Sequence, residues 1–180
     1  MLLCEHDPVI TLGRSARASN VLAPAAELAR RGIAVEHISR GGDVTFHGPG
    51  QLVGYPVVRL RAGVIGHMTA MARALVAVLA PLGVSARWRR DAPGLWVGDA
   101  KICAFGVNVQ RRVAIHGFAL NLAIDPADFA TIVPCGLADA RITSVAALTG
   151  AAPAPAALAG EVAGALGAEF GVTFQPVDNI

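Results

Sequence analysis

Arg40-Gly41-Gly42-Asp43-Val44-Thr45-Phe46-His47-Gly48-Pro49-Gly50-Gln51-Leu52-Val53-Gly54-Tyr55-Pro56 holds five glycines and two prolines in seventeen residues. Glycine lets a backbone bend through positive φ and come close to a ligand, and Arg40, Asp43, Thr45, His47 and Gln51 supply donors and acceptors around that approach. The same composition also builds a tight loop held by its own hydrogen bonds. A phosphate or dinucleotide loop is disfavoured, because the glycines lack the spacing and no glycine-rich turn passes straight from a strand into a helix. Arg40 to His47 therefore reads as a turn-rich approach to a strand, Gln51 to Leu60.

Upstream, Met1 to Thr11 is strand-like, Pro24 opens a helix that runs to Arg31 and stops at Gly32, and Ile33 to Ile38 alternates as a strand. Downstream, apolar residues recur at helical spacing from Ile65 to Leu82 until Gly83 ends them, giving the longest helix. Val84 to Trp88 reads as a strand, and Gly94 to Val97 and Lys101 to Val109 as two more, joined by a tight turn at Gly98-Asp99. Val113 to Ile124 adds a strand after a turn at Gln110 to Arg112. An irregular segment with Pro134-Cys135-Gly136, a short helix near Ser144 to Leu148 and an Ala-rich helix from about Ala156 to Phe170 complete the chain. This mixture predicts a single α+β domain over 1–180, its sheet covered mainly on one side.

With 180 residues, 54% hydrophobic, 16% charged and a formal net charge of +2, the chain is a compact globular domain rather than a disordered tail. Its mean hydropathy is +0.53, yet the most apolar stretch, Met68 to Ala86, contains Arg73 and Pro81, so no membrane span is expected. The N-terminus does not read as a secretion signal, and three widely spaced cysteines fit neither a disulfide framework nor a zinc site, which points to the cytoplasm. No clustered Cys, His and carboxylate set predicts a metal, and no aromatic-interleaved basic stripe predicts nucleic acid.

Of fifteen basic residues only Lys101 is lysine. A GC-rich coding bias explains the arginines; a lysine survives such drift where a position needs an exchangeable proton, which arginine does not give up. A nearby cation also raises the thiolate fraction of a cysteine, whose ordinary pKa is about 8.5. Two cysteines compete for that partnership. Cys103 lies two residues from Lys101 on a predicted strand and so on the same face, whereas Cys135 lies in an irregular segment, where functional side chains concentrate. Spacing alone leaves the two as near equals. Cys4 reads as a small core residue. His47 and His116 are candidates for contact with a substrate, and His6, His37 and His67 show no ligand spacing.

The quoted stretch resembles the signature of the LipB-type octanoyltransferase family. The resemblance continues through Pro93-Gly94-Leu95-Trp96-Val97-Gly98-Asp99, Lys101-Ile102-Cys103-Ala104-Phe105-Gly106, His116-Gly117-Phe118-Ala119-Leu120-Asn121-Leu122 and Pro134-Cys135-Gly136-Leu137, and covers the chain from about residue 2 to 150. It implies a fold similar to the catalytic core of biotin and lipoate protein ligases, with a larger mixed sheet and a smaller one. It further implies Cys135 as the residue that carries the acyl group as a thioester and Lys101 as the lysine that tunes it and relays protons. Arg40, Gly41, Gly42, Asp43, Val44, Thr45, Phe46 and His47, then Ala104, Phe105 and Gly106, then Gly117, Phe118 and Ala119, would line the acyl site. The implied activity is octanoyl transfer from acyl carrier protein to a lysine of lipoyl-domain proteins, namely 2-oxoacid dehydrogenase E2 subunits and the glycine cleavage H protein. No ATP, metal or other cofactor is expected, and the enzyme is expected to be a monomer. An ATP-dependent lipoate ligase and a non-catalytic acyl-binding module are the alternatives. Family members carry a further segment with a helix ahead of the strand that here starts at Leu2, so the chain reads as shortened at its N-terminus.

Overall fold

The structure is a computed structural model that describes residues 1–134 and 141–175. Its strands, numbered along the chain, form two sheets. The larger contains β1 (Leu2–Cys4), β5 (Gln51–Tyr55), β10 (Val113–Asn121), β9 (Ala100–Gln110), β8 (Gly94–Val97) and β7 (Arg87–Arg89) in that spatial order. These pairs are antiparallel. Two short strands flank the path: β6 (Val58–Arg59) pairs with β10, and β11 (Arg141–Ile142) runs parallel to β9. The smaller sheet has the order β3 (Ala34–His37), β2 (Val9–Leu12), β4 (Val44–His47).

The expected α+β class holds, with boundaries that differ for physical reasons. The predicted strand Met1 to Thr11 is two strands, since the chain leaves the large sheet after Cys4, turns through Glu5 to Pro8 and enters the small one. Pro56 lacks an N–H for the ladder, and it splits the predicted strand Gln51 to Leu60 into β5 and β6. The turn-rich approach from Arg40 hides a strand at β4. There Val44 and Phe46 alternate with Thr45 and His47 at the two-residue period, a signal obscured by the glycines on both sides. The predicted strand from Val84 starts only at Arg87.

Helix α1 (Ala25–Arg30) follows Pro24 and ends before Gly32 at φ 66°. Helix α2 (Gly63–Leu79) tightens into a 3₁₀ turn, Ala80–Leu82, where Pro81 removes a donor and Gly83 at φ 77° closes the end. Helix α3 (Val145–Thr149) is capped by Ser144, whose hydroxyl accepts from the Ala147 N–H at 3.3 Å. Helix α4 is Pro155–Phe170. By length and composition Gly63–Leu82 is long and apolar enough to cross a membrane. In the fold its apolar face is spent on packing, because Met71, Leu75, Val78 and Leu79 are buried with Leu158, Val162 and Leu166 of α4 and with Leu52, Leu95, Ile102 and Leu120 of the large sheet.

That cluster is the first core. A second, built from Ile10, Leu12, Leu28, Val44, Phe46 and Phe129, lies on the far side of the small sheet. Helices α2 and α4 thus cover one face of the large sheet, leaving its other face toward β2 and β4. The β9–β10 hairpin turns through Arg111 at φ 48° and Arg112 at φ 66°, a two-residue geometry that usually takes Asn-Gly. Gly54 is required by packing, since a Cβ there would lie 2.2 Å from the Phe118 ring.

Candidate active site

Cross-strand partners share a face, and register defines a floor of small residues. On the side of the large sheet away from the helices, Ala104 pairs with Ala119 and Gly106 with Gly117, and Val53 extends the row on β5. Opposite them stand the inward residues of the small sheet, Val9, Thr11, Thr45 and His47. Between the two lies a cavity of about 620 Å³, bordered also by Phe105, Phe118, Val64 and Met68. Arg40, Gly41, Gly42, Asp43, Thr45, His47, Ala104, Phe105, Gly106, Gly117, Phe118, Ala119 and Lys101 all line it, so segments far apart in sequence meet in one space. Val44 and Phe46 do not, because strand alternation turns them into the second core.

Arg40 is buried and folds over β2. Its Nε and Nη2 donate to Thr11 Oγ1 at 3.2 and 2.9 Å, Nη2 also donates to the Thr11 carbonyl at 2.5 Å, and Nη1 donates to the Gly41 carbonyl at 3.1 Å. A Cβ on Gly106 would come within 2.9 Å of the Arg40 side chain, so this glycine gives the arginine its path. Asp43 holds the neighbouring loop: one carboxylate oxygen accepts from the Arg17 and Val44 N–H groups at 3.1 and 2.8 Å and the other from Asn20 Nδ2 at 2.6 Å.

His47 is 8% exposed and lies between Thr11 Oγ1, 3.2 Å from Nε2, and Gln51 Oε1, 2.7 Å from Nδ1. Burial, helped by the Arg40 charge, lowers its pKa to about 4 against the hydrogen bond to Gln51. It is a neutral wall residue at physiological pH. His116 borders the cavity in a left-handed backbone conformation, φ 61°, with Nε2 3.0 Å from Ser39 Oγ.

Lys101 is 3% exposed, with Nζ 4.9 Å from the centroid of the Trp96 ring, a cation–π contact. The expectation that Cys103 shares its face is overturned by a β-bulge. Leu95 pairs with Cys103 but the next residue, Trp96, pairs with Lys101, so Ile102 is an extra residue and the alternation reverses across it. Cys103 joins the helix-side core, fully buried, where desolvation pushes its thiol well above the ordinary range. Cys135 lies outside the described residues. Cys4 is half-buried beside His6, Sγ to Nε2 3.7 Å, and His6 Nε2 is 2.7 Å from the Tyr55 hydroxyl. Thr11, His6 and Tyr55 line the cavity without having been singled out in the sequence. The signal for Thr11 and Tyr55 was the alternation of β2 and β5, which needs the sheet pairing before a face can be assigned, and His6 lies in the turn between the sheets, where no periodic signal exists.

Two stacked sheets with one helical layer and a cavity between them is the architecture of the lipoate and biotin ligase class. A protein from T. acidophilum solved with bound lipoic acid superposes with a TM-score of 0.78 at 15% identity, over 96% of this chain and 73% of that one. Lipoate-protein ligase A bound with ATP gives 0.71 at 17%, over 96% and 73%. At such identities these matches speak for the fold. The lipoyl protein ligase A/B catalytic domain model matches residues 1–170, and the chain belongs to that family, on its octanoyltransferase branch. The octanoyltransferase of Chloroflexus aurantiacus is 45% identical over 97% of this chain and 79% of its own length. That of Acidobacterium capsulatum is 42% identical over 81% of this chain, which spans 65% of the relative.

Proposed function

We propose that the protein is an octanoyltransferase of lipoate biosynthesis, as the resemblance and its relatives' names suggest, and that it acts in the cytoplasm, a reading supported by its three widely spaced cysteines. The observation that carries the reading is the cavity floored by Ala104, Gly106, Gly117 and Ala119 with the amine-bearing Lys101 on its wall. Small floor residues leave room for a linear chain, and about 620 Å³ lies within the span of roughly 300–1,000 Å³ typical of small-molecule sites. Burying about six methylenes at ~0.8 kcal/mol each contributes on the order of 5 kcal/mol before ordering costs.

In the proposed chemistry the Cys135 thiolate attacks the octanoyl thioester of acyl carrier protein. A carbon–sulfur bond forms, the donor's carbon–sulfur bond breaks, and the departing carrier thiolate takes a proton from Lys101. In the second half a lysine amine of a lipoyl domain attacks the acyl-cysteine, giving an amide and returning the thiolate, while Lys101 takes the proton that nitrogen sheds. A thioester passed to a thioester is nearly neutral in free energy and a thioester passed to an amide runs downhill, so the sequence needs no ATP. Burial of Cys103 among core side chains supports assigning the nucleophile elsewhere.

Intact-mass analysis after incubation with octanoyl carrier protein, without ATP, tests this. The wild type and Cys103→Ala gain one octanoyl group and Cys135→Ala gains none. An adduct that persists in Cys135→Ala and vanishes in Cys103→Ala refutes the assignment.

A further inference from the structure

A buried chain of side chains runs from the roof of the cavity to the strand that carries Lys101, and its direction follows from its first member. A guanidinium only donates, so Thr11 Oγ1, which receives Arg40 Nε and Nη2, has both acceptor positions filled and gives its own proton to His47 Nε2 at 3.2 Å. The ring proton therefore sits on Nδ1 and goes to Gln51 Oε1 at 2.7 Å. With that oxygen accepting, Gln51 Nε2 donates to Asn121 Oδ1 at 2.8 Å, and Asn121 Nδ2 donates to the Thr143 carbonyl at 3.0 Å. The N–H of Thr143 in turn donates to the Lys101 carbonyl at 3.0 Å. Arg40, Thr11, His47, Gln51, Asn121 and Thr143 are all buried.

We propose that Gln51 and Asn121 are positioning residues of this site: they fix the proton of His47 on Nδ1 at the cavity wall and clamp the main chain of Thr143 against Lys101. Neither lines the acyl cavity. Both instead border a gap of about 10 Å³ shared with Lys101, Ala104 and Pro134, behind the wall that Lys101 and Ala104 present to the cavity. A buried polar pair of this kind gives no stability that apolar side chains of the same shape would not match, and what it adds is a single geometry. Thr143 follows β11, whose two residues pair with Ala100 and Lys101, so its clamped carbonyl holds a strand too short to hold itself. His47, with both nitrogens engaged, presents an uncharged surface to an acyl chain.

The inference rests on the acyl-transfer reading, and its test has one arm that does not. ¹⁵N NMR of histidine-labelled wild type, with the His47 signals assigned through His47→Gln, is expected to show a neutral ring protonated on Nδ1 at pH 7. A proton on Nε2 overturns the proposal whatever the enzyme does. In the second arm, Asn121→Asp keeps an acceptor for Gln51 but turns an oxygen toward the Thr143 carbonyl. The expected result is a kcat for octanoyl transfer lower by about 10²-fold with the KM for the donor unchanged, as for a misplacement outside the reacting groups. Wild-type kcat in that variant, or a loss confined to KM, overturns the clamp. If Asn121→Asp fails to fold, the NMR arm decides alone. Absence of octanoyl transfer by the wild type defeats the acyl-transfer reading and leaves the NMR result standing.

Discussion

Ala119→Leu places three additional carbons on the middle of the cavity floor, where Ala119 sits between Ala104 on β9 and Val53 on β5. An octanoyl chain lying along this floor loses burial of about three methylenes, and at ~0.8 kcal/mol each that is about 2.4 kcal/mol, or roughly 50-fold in affinity. If the chain starts beside Lys101 and runs along Ala104 and Ala119, a butanoyl chain ends before the obstruction and keeps its contacts. The assay is acylation of the enzyme by octanoyl and butanoyl carrier protein, read as kcat/KM for each and normalised to the wild type. The ratio of the two is expected to fall by about 50-fold, nearly all of it from the octanoyl donor. An unchanged ratio refutes the path of the chain along Ala104 and Ala119. So does an equal loss for both donors, which reports damage to the reacting groups.

Lys101→Arg keeps the charge and the melting temperature but loses about 10²-fold in transfer to the acceptor lysine, the usual size of a general acid–base contribution; full activity there removes Lys101 from the mechanism. His47 ties stability to pH. Its folded pKa of about 4 lies below the ordinary 6.5, so between those values the unfolded chain binds the extra proton. Stability is therefore full above pH 6.5 and falls as the pH drops toward 4, by on the order of 3 kcal/mol, a decline that urea unfolding at several pH values should show and that His47→Gln should flatten. Gly54→Ala sets a methyl group 2.2 Å from the Phe118 ring and costs about 1–3 kcal/mol; the same change made in Phe118→Leu should cost less, and an equal cost in both backgrounds refutes the contact.

The helices were legible because their signals are local: α2 shows periodic apolar residues stopped by Gly83, and α4 a run rich in alanine. The hairpins of β8, β9 and β10 were legible through their turns. Which strand belongs to which sheet was not, because β2 leaves β1 for another sheet through a turn of four residues that carries no periodic signal. In the site, the glycine-rich segment declared itself by composition, whereas Thr11 and Asn121 look like ordinary strand residues until pairing brings them beside His47 and Gln51. The face of Cys103 was misread for a related reason, since a bulge exists only relative to a partner strand.

The extra residue at Ile102 also separates two environments within one strand. On its far side Cys103 is tied to Leu95 and Leu120 and faces the core; on its near side Lys101 is tied to Trp96 and β11 and faces the cavity. A substitution that refills the core beneath the helices is therefore expected to leave the lysine facing the cavity. Were Ile102 drawn into the ladder instead of bulging out of it, strict alternation would put Lys101 on the same face as Cys103 and swing the amine toward the helices, so the orientation of the lysine resides in a position with no functional group of its own.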